Sequence, residues 1–290
     1  MRLKYSLLIN LALILLFVYL FWFVKSPSNN PKIKDGALRG ISGLEFSVRN
    51  KNLIWVHNDH GRKGRVFLID KNGFTRATFK WDSWIRDWED ITIDPGSMDG
   101  KPYIYVGDIG DNSADHPFIY IYRFPEPLID DEKELQNVQT ITLKYPDGSR
   151  DAEAMFADPV SKQLYIITKR EDQVGIYNAP LSMRDGDTVL LKKVGKLSLE
   201  GTGLFKWVTS ADISRDGSQI VIRSYHDVFY WKRSKGQSVE QALRQKPAKL
   251  PHHSELQGEA IGFTPDGKEF YTIGEGKTPF LYENPVTPND

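Results

Sequence analysis

The chain has 290 residues, 40% of them hydrophobic and 12% aromatic, which is enough apolar material for the core of one large domain and argues against extensive disorder. Its 38 lysines and arginines balance 38 aspartates and glutamates, so no excess positive charge is available to neutralise a nucleic-acid backbone, and we expect no nucleic-acid partner. Cysteine is absent, which excludes disulfides, thiolate metal sites and a thiol nucleophile.

The N-terminal segment is predicted to anchor the chain in a membrane. An apolar run extends from Leu7 to Val24, and as a helix it would be about 27 Å long, close to the thickness of a bilayer's hydrocarbon core. Arg2 and Lys4 precede it and no small-residue cleavage site follows it, which favours an uncleaved signal anchor. The pattern predicts a single transmembrane helix within residues 1–25, a linker over 26–31, and an extracytoplasmic body, periplasmic or at the cell surface.

The body, residues 32–290, contains a repeated strand pattern. Each repeat opens with alternating apolar residues, and a second and a third apolar strand follow along the chain. The opening segments are Ser42–Phe46, Glu89–Ile93, Glu153–Ala157, Thr209–Ile213 and Glu259–Phe263. Four of them run into hairpin-turn signals such as Asp94-Pro95 and Asp216-Gly217. Their spacing suits blades of four antiparallel strands.

The repeats predict an all-β protein, a β-propeller of four-stranded antiparallel sheets. The count favours five blades, and six stay open if a long insertion hides a divergent unit. The last repeat lacks a fourth strand, which Ile33–Leu38 could supply by pairing the start of the chain with its end. A two-sheet sandwich and a solenoid are the alternatives, but neither predicts an acidic residue that recurs before the first strand of successive repeats.

That acidic residue opens three of the five repeats. In a propeller, the loop before the innermost strand and the loop after the second strand lie on the same face. Glu89, Glu153 and Glu259, here named the axial glutamates, are therefore expected to converge at the mouth of the central channel. Ser42 and Thr209 hold the equivalent positions in the other two repeats. Carboxylates brought together repel unless their pKa values rise or a cation neutralises them.

The loops after the second strands are expected to supply further oxygen ligands. Asn58, Asp59, Asp108 and Glu275 occupy these loops. Oxygen-only ligands suit a hard ion such as calcium, so the sequence predicts a calcium site formed by the axial glutamates with Asn58 and Asp108. The alternative is that the glutamates pair with lysines or arginines, or bond backbone N–H groups at strand ends.

Candidate catalytic residues are His57, Asp108 and Glu153, any of which could activate water. His57 and His60 could also form a transition-metal pair, although surface turn histidines are the more common outcome. The chain has no G-x-S-x-G elbow, phosphate-binding P-loop or H-E-x-x-H helix, so serine hydrolases, P-loop NTPases and zincins have no motif support.

Several motifs resemble those of a bacterial family of secreted or membrane-anchored β-propellers. They are HND at 57–59, DWEDI at 87–91, YVGDIGDN at 105–112, DAEA at 151–154, ADISRDG at 211–217 and QGEAI at 257–261. The resemblance spans nearly the whole body and implies fold and compartment, but it brings no established activity. The first repeat departs from it, because ISGLE has no acidic residue at the position of Glu89. The acidic mouth is also similar, as an analogy of architecture, to the calcium-centred propeller hydrolases gluconolactonase and paraoxonase.

Two functions from different classes follow. The first is a non-enzymatic propeller whose acidic mouth binds a cation and whose face recognises a small molecule, a glycan or a protein. Trp84 and Trp88, in the loop that enters the second repeat, could contact a flat ligand such as a sugar. The second is a metal-dependent hydrolase of an ester, lactone or phosphoester. Binding is favoured because no pair of nucleophile and base can be identified.

Overall fold

A computed structural model describes residues 30–59, 63–83, 85–255 and 257–288. The predicted membrane anchor, His60 and Trp84 lie outside these residues. Within the described part of the chain, no helix has the length and apolar character needed to cross a membrane. The segment Pro31–Asp290 forms one compact unit, and its regular structure is almost entirely β-strand.

Five sheets follow one another along this unit, and the prediction of an all-β propeller with five blades is confirmed. Blade 1 contains β1 (Ile41–Phe46), β2 (Leu53–Asn58), β3 (Gly64–Asp70) and β4 (Thr75–Trp81). Blade 2 contains β5 (Trp88–Asp94), β6 (Tyr103–Asp108), β7 (Ile119–Pro125) and β8 (Gln139–Lys144). Blade 3 contains β9 (Ala152–Asp158), β10 (Gln163–Thr168), β11 (Val174–Pro180) and, after the short β12 (Thr188–Leu190), β13 (Lys192–Leu197). Blade 4 contains β14 (Val208–Ile213), β15 (Gln219–Ser224), β16 (Val228–Lys232) and β17 (Ala248–Lys249), and blade 5 contains β18 (Gly258–Phe263), β19 (Glu269–Gly274) and β20 (Leu281–Pro285).

Three smaller elements lie in the connections between these strands. A 3₁₀ helix, Gly203–Lys206, leads into β14, and one short helix, α1 (Val239–Leu243), lies between β16 and β17. Strand β12 pairs parallel to β8, so the chain between β11 and β13 adds a fifth strand to blade 2. The remaining strand pairs are antiparallel, as the hairpin signals in the sequence predict.

The innermost strands form a closed ring. Strand β1 contacts β5, β5 contacts β9, β9 contacts β14, β14 contacts β18, and β18 contacts β1 again. Blade 5 has three strands, and the start of the unit pairs with its last strand: the Ile33 N–H donates to the Pro279 carbonyl (2.9 Å) and the Leu281 N–H to the Pro31 carbonyl (2.8 Å). The closing contact is thus a single bridge around Lys32 and Phe280, shorter than the strand predicted over 33–38.

Five apolar clusters hold the ring together, and each one fills the space between two adjacent blades. Strand β6 shows how the sequence does this. Tyr105 packs between blades 2 and 3, whereas its neighbours Ile104 and Val106 pack between blades 1 and 2. Because successive side chains of a strand point to opposite faces, one apolar strand serves two interfaces. Both faces of every central strand are therefore buried, which explains their continuous runs of Ile, Val, Tyr and Phe.

Around the axis of the ring, polar side chains bond the inner strands to one another. Asp90 on β5 accepts the Met155 N–H of β9 at 2.8 Å and the Ala211 N–H of β14 at 3.3 Å. Asp212 on β14 accepts the Phe263 N–H of β18 at 2.6 Å. The inner edge of an innermost strand has no further strand to pair with, so these carboxylates satisfy its backbone donors.

Candidate functional site

Each blade has a β-bulge at the same place, near the start of its innermost strand. One extra residue there has no partner on the second strand of the sheet. The five extra residues are Ser42, Glu89, Glu153, Thr209 and Glu259, the positions that the repeats make equivalent. A bulge redirects a side chain that regular pleating would send toward a neighbouring blade. The fold thus presents one non-pleated side chain per blade at the same level of the ring.

A cavity of about 210 Å³ opens at this level and is here named the axial cavity. All three axial glutamates line it. Its other lining residues are Gly40, Ile41, Ser42, Asp59, Asp87, Asn112, Lys169, Tyr225, Gln257 and Glu275. Residues from every blade of the ring therefore meet in one space. The lining holds six carboxyl groups against one ammonium group, so it is strongly acidic overall.

A second repeat position also contributes to the axial cavity. The second strands end at Asn58, Asp108, Thr168, Ser224 and Gly274. The residue immediately after the strand lines the cavity in four blades, as Asp59, Lys169, Tyr225 and Glu275. In blade 2 the corresponding residue is the buried Ile109, and Asn112 reaches the cavity instead. In these four blades the cavity-lining position can be found from the sequence, because it directly follows the last residue of the second strand.

Asn58 and Asp108, two of the predicted metal ligands, do not line the axial cavity. The Asn58 side chain accepts the Arg39 N–H at 3.1 Å and donates to the Ala37 carbonyl at 2.8 Å. The Asp108 carboxylate is buried and accepts the backbone N–H groups of Arg86 (3.1 Å) and Asp87 (3.0 Å). Both are the last residues of their strands, and a shift of one position sends a strand side chain to the other face.

His57 is also remote from the cavity surface, although it was a candidate base. Its ring is fully buried, meets Trp88 edge-to-face with centroids 5.7 Å apart, and places Nδ1 3.0 Å from the Asn58 carbonyl. Burial lowers the pKa of His57 to about 4, so the ring is neutral at physiological pH. Trp88 is likewise a core residue, stacked on Trp81 at 5.0 Å, and does not offer a face to a flat ligand.

Glu89 lies at the base of the axial cavity with an incomplete set of partners. Its Oε2 accepts the Ser42 hydroxyl at 3.1 Å, and its Oε1 accepts no hydrogen bond from the described residues. Gly110 lies directly against this carboxylate: a Cβ at position 110 would come within 2.4 Å of Glu89 Oε1 and 2.5 Å of Asp87 Oδ2. A residue without a side chain is therefore required where the YVGDIGDN loop passes over the two acids.

Glu153 has a cationic partner, as the alternative interpretation of the axial glutamates expects, although the sequence did not single out Lys169. The Lys169 ammonium forms an ion pair with Glu153 and donates to the Tyr225 hydroxyl at 2.9 Å. Burial acts to lower the pKa of Lys169, but the Glu153 carboxylate outweighs it and raises that pKa above its usual value. Lys169 is therefore a permanent cation in the axial cavity, and one of the six carboxylates is neutralised by the protein itself.

All three axial glutamates have raised pKa values. Burial, followed by the charges of Glu153 and Asp87, holds the pKa of Glu89 well above its usual range. Burial and the Glu153 charge raise the pKa of Glu259 to about 8, and neither Glu259 oxygen accepts a hydrogen bond from the described residues. Burial raises the pKa of Glu153 to about 7 against the opposing effect of Lys169. Without an added cation, Glu259 therefore holds a proton over most of its population at neutral pH.

The spacing of the carboxylates bears on the predicted metal site. Across the part of the chain that the structure describes, the only group of three acidic or histidine ligands whose atoms lie within 4.8 Å of one another is Asp111, Asp115 and His116. This group lies on the surface loop after β6, where Asp111 already accepts the N–H groups of Asp115 (3.2 Å) and His116 (2.9 Å). The axial glutamates share one cavity but are farther apart than a single coordination shell requires.

Fold and site together define the chain as a five-bladed β-propeller with an acidic axial cavity. The chain matches no protein-family model, and a search of curated proteins finds no relative. Among solved structures, it is similar to a chain in the crystal structure of a nidogen/laminin complex. The two are 14% identical, the match covers 81% of this chain and 72% of that chain, and the TM-score is 0.46.

Proposed function

We propose that this chain is a membrane-anchored, extracytoplasmic binding protein whose axial cavity takes up a cation. The observation that carries the proposal is the convergence of six carboxyl groups and a single lysine on one 210 Å³ cavity at the ring axis. The apolar run at residues 7–24 and the basic residues before it support the anchor and the extracytoplasmic side.

The electrostatics favour a positive occupant. Burial, followed by the charges of neighbouring carboxylates, raises the pKa values of Glu89 and Glu259, and a cation that enters the cavity favours the ionised form of both groups. The acidic lining would repel an anion. Lys169 is the one basic residue of the lining, and it is already paired with Glu153. The axial glutamates and Ser42 stand on inner strands of the ring, and the other acidic residues of the lining come from loops at the strand ends, so regular structure carries part of the site.

Calcium is the metal that the sequence predicts for this cavity, and it stays a proposal. The carboxylate oxygens of Glu89, Glu259 and Glu275 are ligands of the right kind for it. To bind it they would have to move closer together than they lie here. The hydrolase alternative gains no support from His57, which is buried away from the cavity.

The test uses the full chain, purified in detergent and treated with a chelator. Its melting temperature is measured with calcium, magnesium and small organic ammonium ions, and the same titrations are made on the Glu89→Gln/Glu259→Gln variant. We expect at least one cation to stabilise the protein, because a ligand of the folded state alone raises its stability by mass action. The variant should lose that effect, whereas Glu132→Gln, at an exposed glutamate outside the cavity, should keep it.

The proposal of a binding site fails if no cation stabilises the wild-type protein more than it stabilises the double variant. The anchor is tested separately, by treating intact cells with a protease. Digestion of the body without cell lysis supports an extracytoplasmic location, and protection until lysis contradicts it.

A further inference from the structure

We propose that the rim of the propeller at which the chain enters it docks on an anionic phospholipid surface. This rim consists of residues 31–35, 70–76 and 277–283 and is here named the entry rim. The inference rests on the membrane anchor of the proposed function and goes beyond it, because it states which side of the body faces the bilayer. Three observations carry it: the place where the chain enters, the side chains around that place, and the acidic character of the competing face.

Residues 31–34 lie at the outer edge of the ring, between blades 5 and 1. Lys32 forms an antiparallel bridge with Phe280, next to the start of β20 in blade 5. The Lys34 N–H donates to the Gly73 carbonyl in the turn between β3 and β4 of blade 1, at 2.9 Å. Gly73 is required there, because it has a positive φ of 79° and a Cβ at this position would overlap the Lys32 carbonyl. The entry rim is thus a packed part of the fold that joins the first and the last blade.

The predicted anchor ends a short distance before this point in the sequence. Val24 is the last residue of the apolar run, and residues 25–30 alone separate it from Pro31. An extended chain covers at most about 3.6 Å per residue, so this connection spans no more than about 25 Å. A tether of that length holds the entry rim at a high effective concentration near the lipid surface. Contacts too weak to recruit a free protein are then sufficient to orient the body.

Basic and aromatic side chains contact one another on the entry rim. The Lys34 ammonium lies 3.8 Å from the ring centroid of Phe74, which is 46% exposed. The Lys32 ammonium lies 4.9 Å from the ring centroid of the half-buried Phe280. At a bilayer, an exposed aromatic ring enters the boundary between headgroups and acyl chains, while a lysine stem lies along it and keeps its ammonium among the phosphates. The two pairs supply both of these contacts side by side.

The charge of the entry rim favours an anionic surface. Its basic residues are Lys32, Lys34, Lys71, Arg76 and Lys277, and its acidic residues are Asp35, Asp70 and Glu283. The carboxylates already have partners within the rim. Asp35 accepts the Thr75 hydroxyl at 2.7 Å, Asp70 lies 3.6 Å from Arg76, and Glu283 lies 3.9 Å from Lys71. The exposed ammonium groups of Lys32, Lys34 and Lys277 are therefore placed to attract the phosphates of an anionic leaflet.

The face that carries the axial cavity is the competing surface. The loop that leads into β14 lies on it and carries Leu204 and Phe205, which are 57% and 58% exposed. The same face presents the acidic lining of the axial cavity, which an anionic bilayer repels. This loop also lies between blades 3 and 4, whereas the chain enters between blades 5 and 1. Charge and tether both favour the entry rim, and the axial cavity then stays open to solvent.

The experiment uses the full chain reconstituted into vesicles of phosphatidylglycerol and phosphatidylcholine. Because the chain has no cysteine, one introduced cysteine takes a fluorescent label at a single chosen site. Asn72→Cys and Lys277→Cys label the entry rim, Leu204→Cys labels the axial face, and Lys196→Cys labels blade 3, all at exposed residues. A nitroxide on a fraction of the lipid headgroups quenches labels that touch the bilayer surface. We expect both rim labels to be quenched more strongly than the labels at 196 and 204.

Charge variants test the contact itself, with the label at position 72. Lys32→Gln/Lys34→Gln should lower the ratio of docked to undocked protein about tenfold or more, since each lysine near an anionic leaflet contributes about a factor of five. Lys196→Gln/Lys235→Gln removes two exposed lysines elsewhere and should leave that ratio unchanged. Vesicles of phosphatidylcholine alone should reduce the quenching at 72 in the wild-type background.

The possible results separate the docking surface from the anchor. Rim labels that are quenched no more than the label at 196, or a Lys32→Gln/Lys34→Gln variant that docks as the wild type does, overturn the inference and leave the anchor in place. Stronger quenching at 204 than at 72 overturns it in favour of the axial face. If an alkaline wash releases the chain from the vesicles, there is no anchor, and the membrane part of the proposed function falls together with the inference.

Discussion

Lys169 and Glu153 form an ion pair inside the axial cavity, with only 5% and 7% of their side chains exposed. The two residues come from different strands of blade 3, Glu153 from the bulge of β9 and Lys169 from the position after β10. The pair acts electrostatically on Glu89 and on Glu259, so it sets the charge balance of the whole cavity.

Removal of the Lys169 ammonium should lower the stability of the folded protein. Lys169→Met leaves Glu153 buried without its counter-ion, and we expect a loss of about 3 kcal/mol in the free energy of unfolding at pH 8. At pH 5 the loss should be smaller, because Glu153 can then take up a proton. Urea denaturation at the two pH values measures this difference. Glu153→Gln/Lys169→Met should recover most of the loss, and Lys235→Met, at an exposed lysine, is the control.

The stability of the cation-free protein should fall as pH rises. The pKa of Glu259 is about 8 in the folded chain against an ordinary value of 4.5, so between these values the folded state binds more protons than the unfolded state. The stabilisation is complete below about pH 4.5 and is lost as pH rises toward 8. We expect this group to contribute about 2 kcal/mol or more to the decline. Melting temperatures of wild type and Glu259→Gln from pH 5 to 8 test it, and parallel curves would contradict it.

His57 should make the stability of the folded protein fall as pH decreases, the opposite of the effect of Glu259. Its pKa is about 4 when folded and 6.5 when exposed, so the unfolded chain binds the extra proton as pH falls between these values. Stability should therefore drop by about 2–3 kcal/mol between pH 6.5 and 4 on account of this one ring. In His57→Gln this pH-dependent loss of stability should disappear, even if the substitution also changes the stability at pH 7. An imidazole signal of His57 that titrates near pH 6.5 in the folded protein would contradict the expectation.

The ring and the convergence of the axial glutamates could be anticipated because they depend on the repeat alone. Residues at one position of successive blades are related by the symmetry of the propeller, so Glu89, Glu153 and Glu259 meet wherever the blades close. The β-bulge, in contrast, could not be anticipated. A two-residue periodicity cannot reveal which position of a strand is unpaired, and it is the bulge that turns these side chains from the pleat into the cavity.

The placement of the other predicted ligands has equally specific causes. Asn58 ends its strand one residue before Asp59, which lines the cavity, and Asp108 ends its strand four residues before Asn112, which does so in blade 2. Lys169 and Tyr225 occupy the correct position, but a search for acidic ligands passes over them. The calcium prediction follows from a set of carboxylates considered without Lys169, and it remains to be tested.

Asp90 should contribute to the stability of the propeller ring. Its carboxylate accepts hydrogen bonds from the Met155 and Ala211 backbones and from the Ser210 hydroxyl, and so links blades 2, 3 and 4 at the axis. Asp90→Ala leaves two buried N–H groups without an acceptor, and we expect a loss of about 3 kcal/mol or more. Asp99→Ala, at an exposed turn aspartate, should cost less than about 1 kcal/mol. Chemical denaturation compares the two, and equal losses would remove the axial role of Asp90.

Gly110 offers a way to alter the axial cavity without removing a charged group. A Cβ at this position would meet Glu89 Oε1 and Asp87 Oδ2 at 2.5 Å or less, so in Gly110→Ala both carboxylates must move. We expect cation binding to weaken about tenfold, because the acceptors lose their placement while their number and charge stay the same. Gly36→Ala is the matched control, since a Cβ there meets nothing within 4 Å. Calorimetric titration of both variants decides the point: if Gly110→Ala binds its cation as the wild type does, the Glu89 carboxylate is not where the ligand is held.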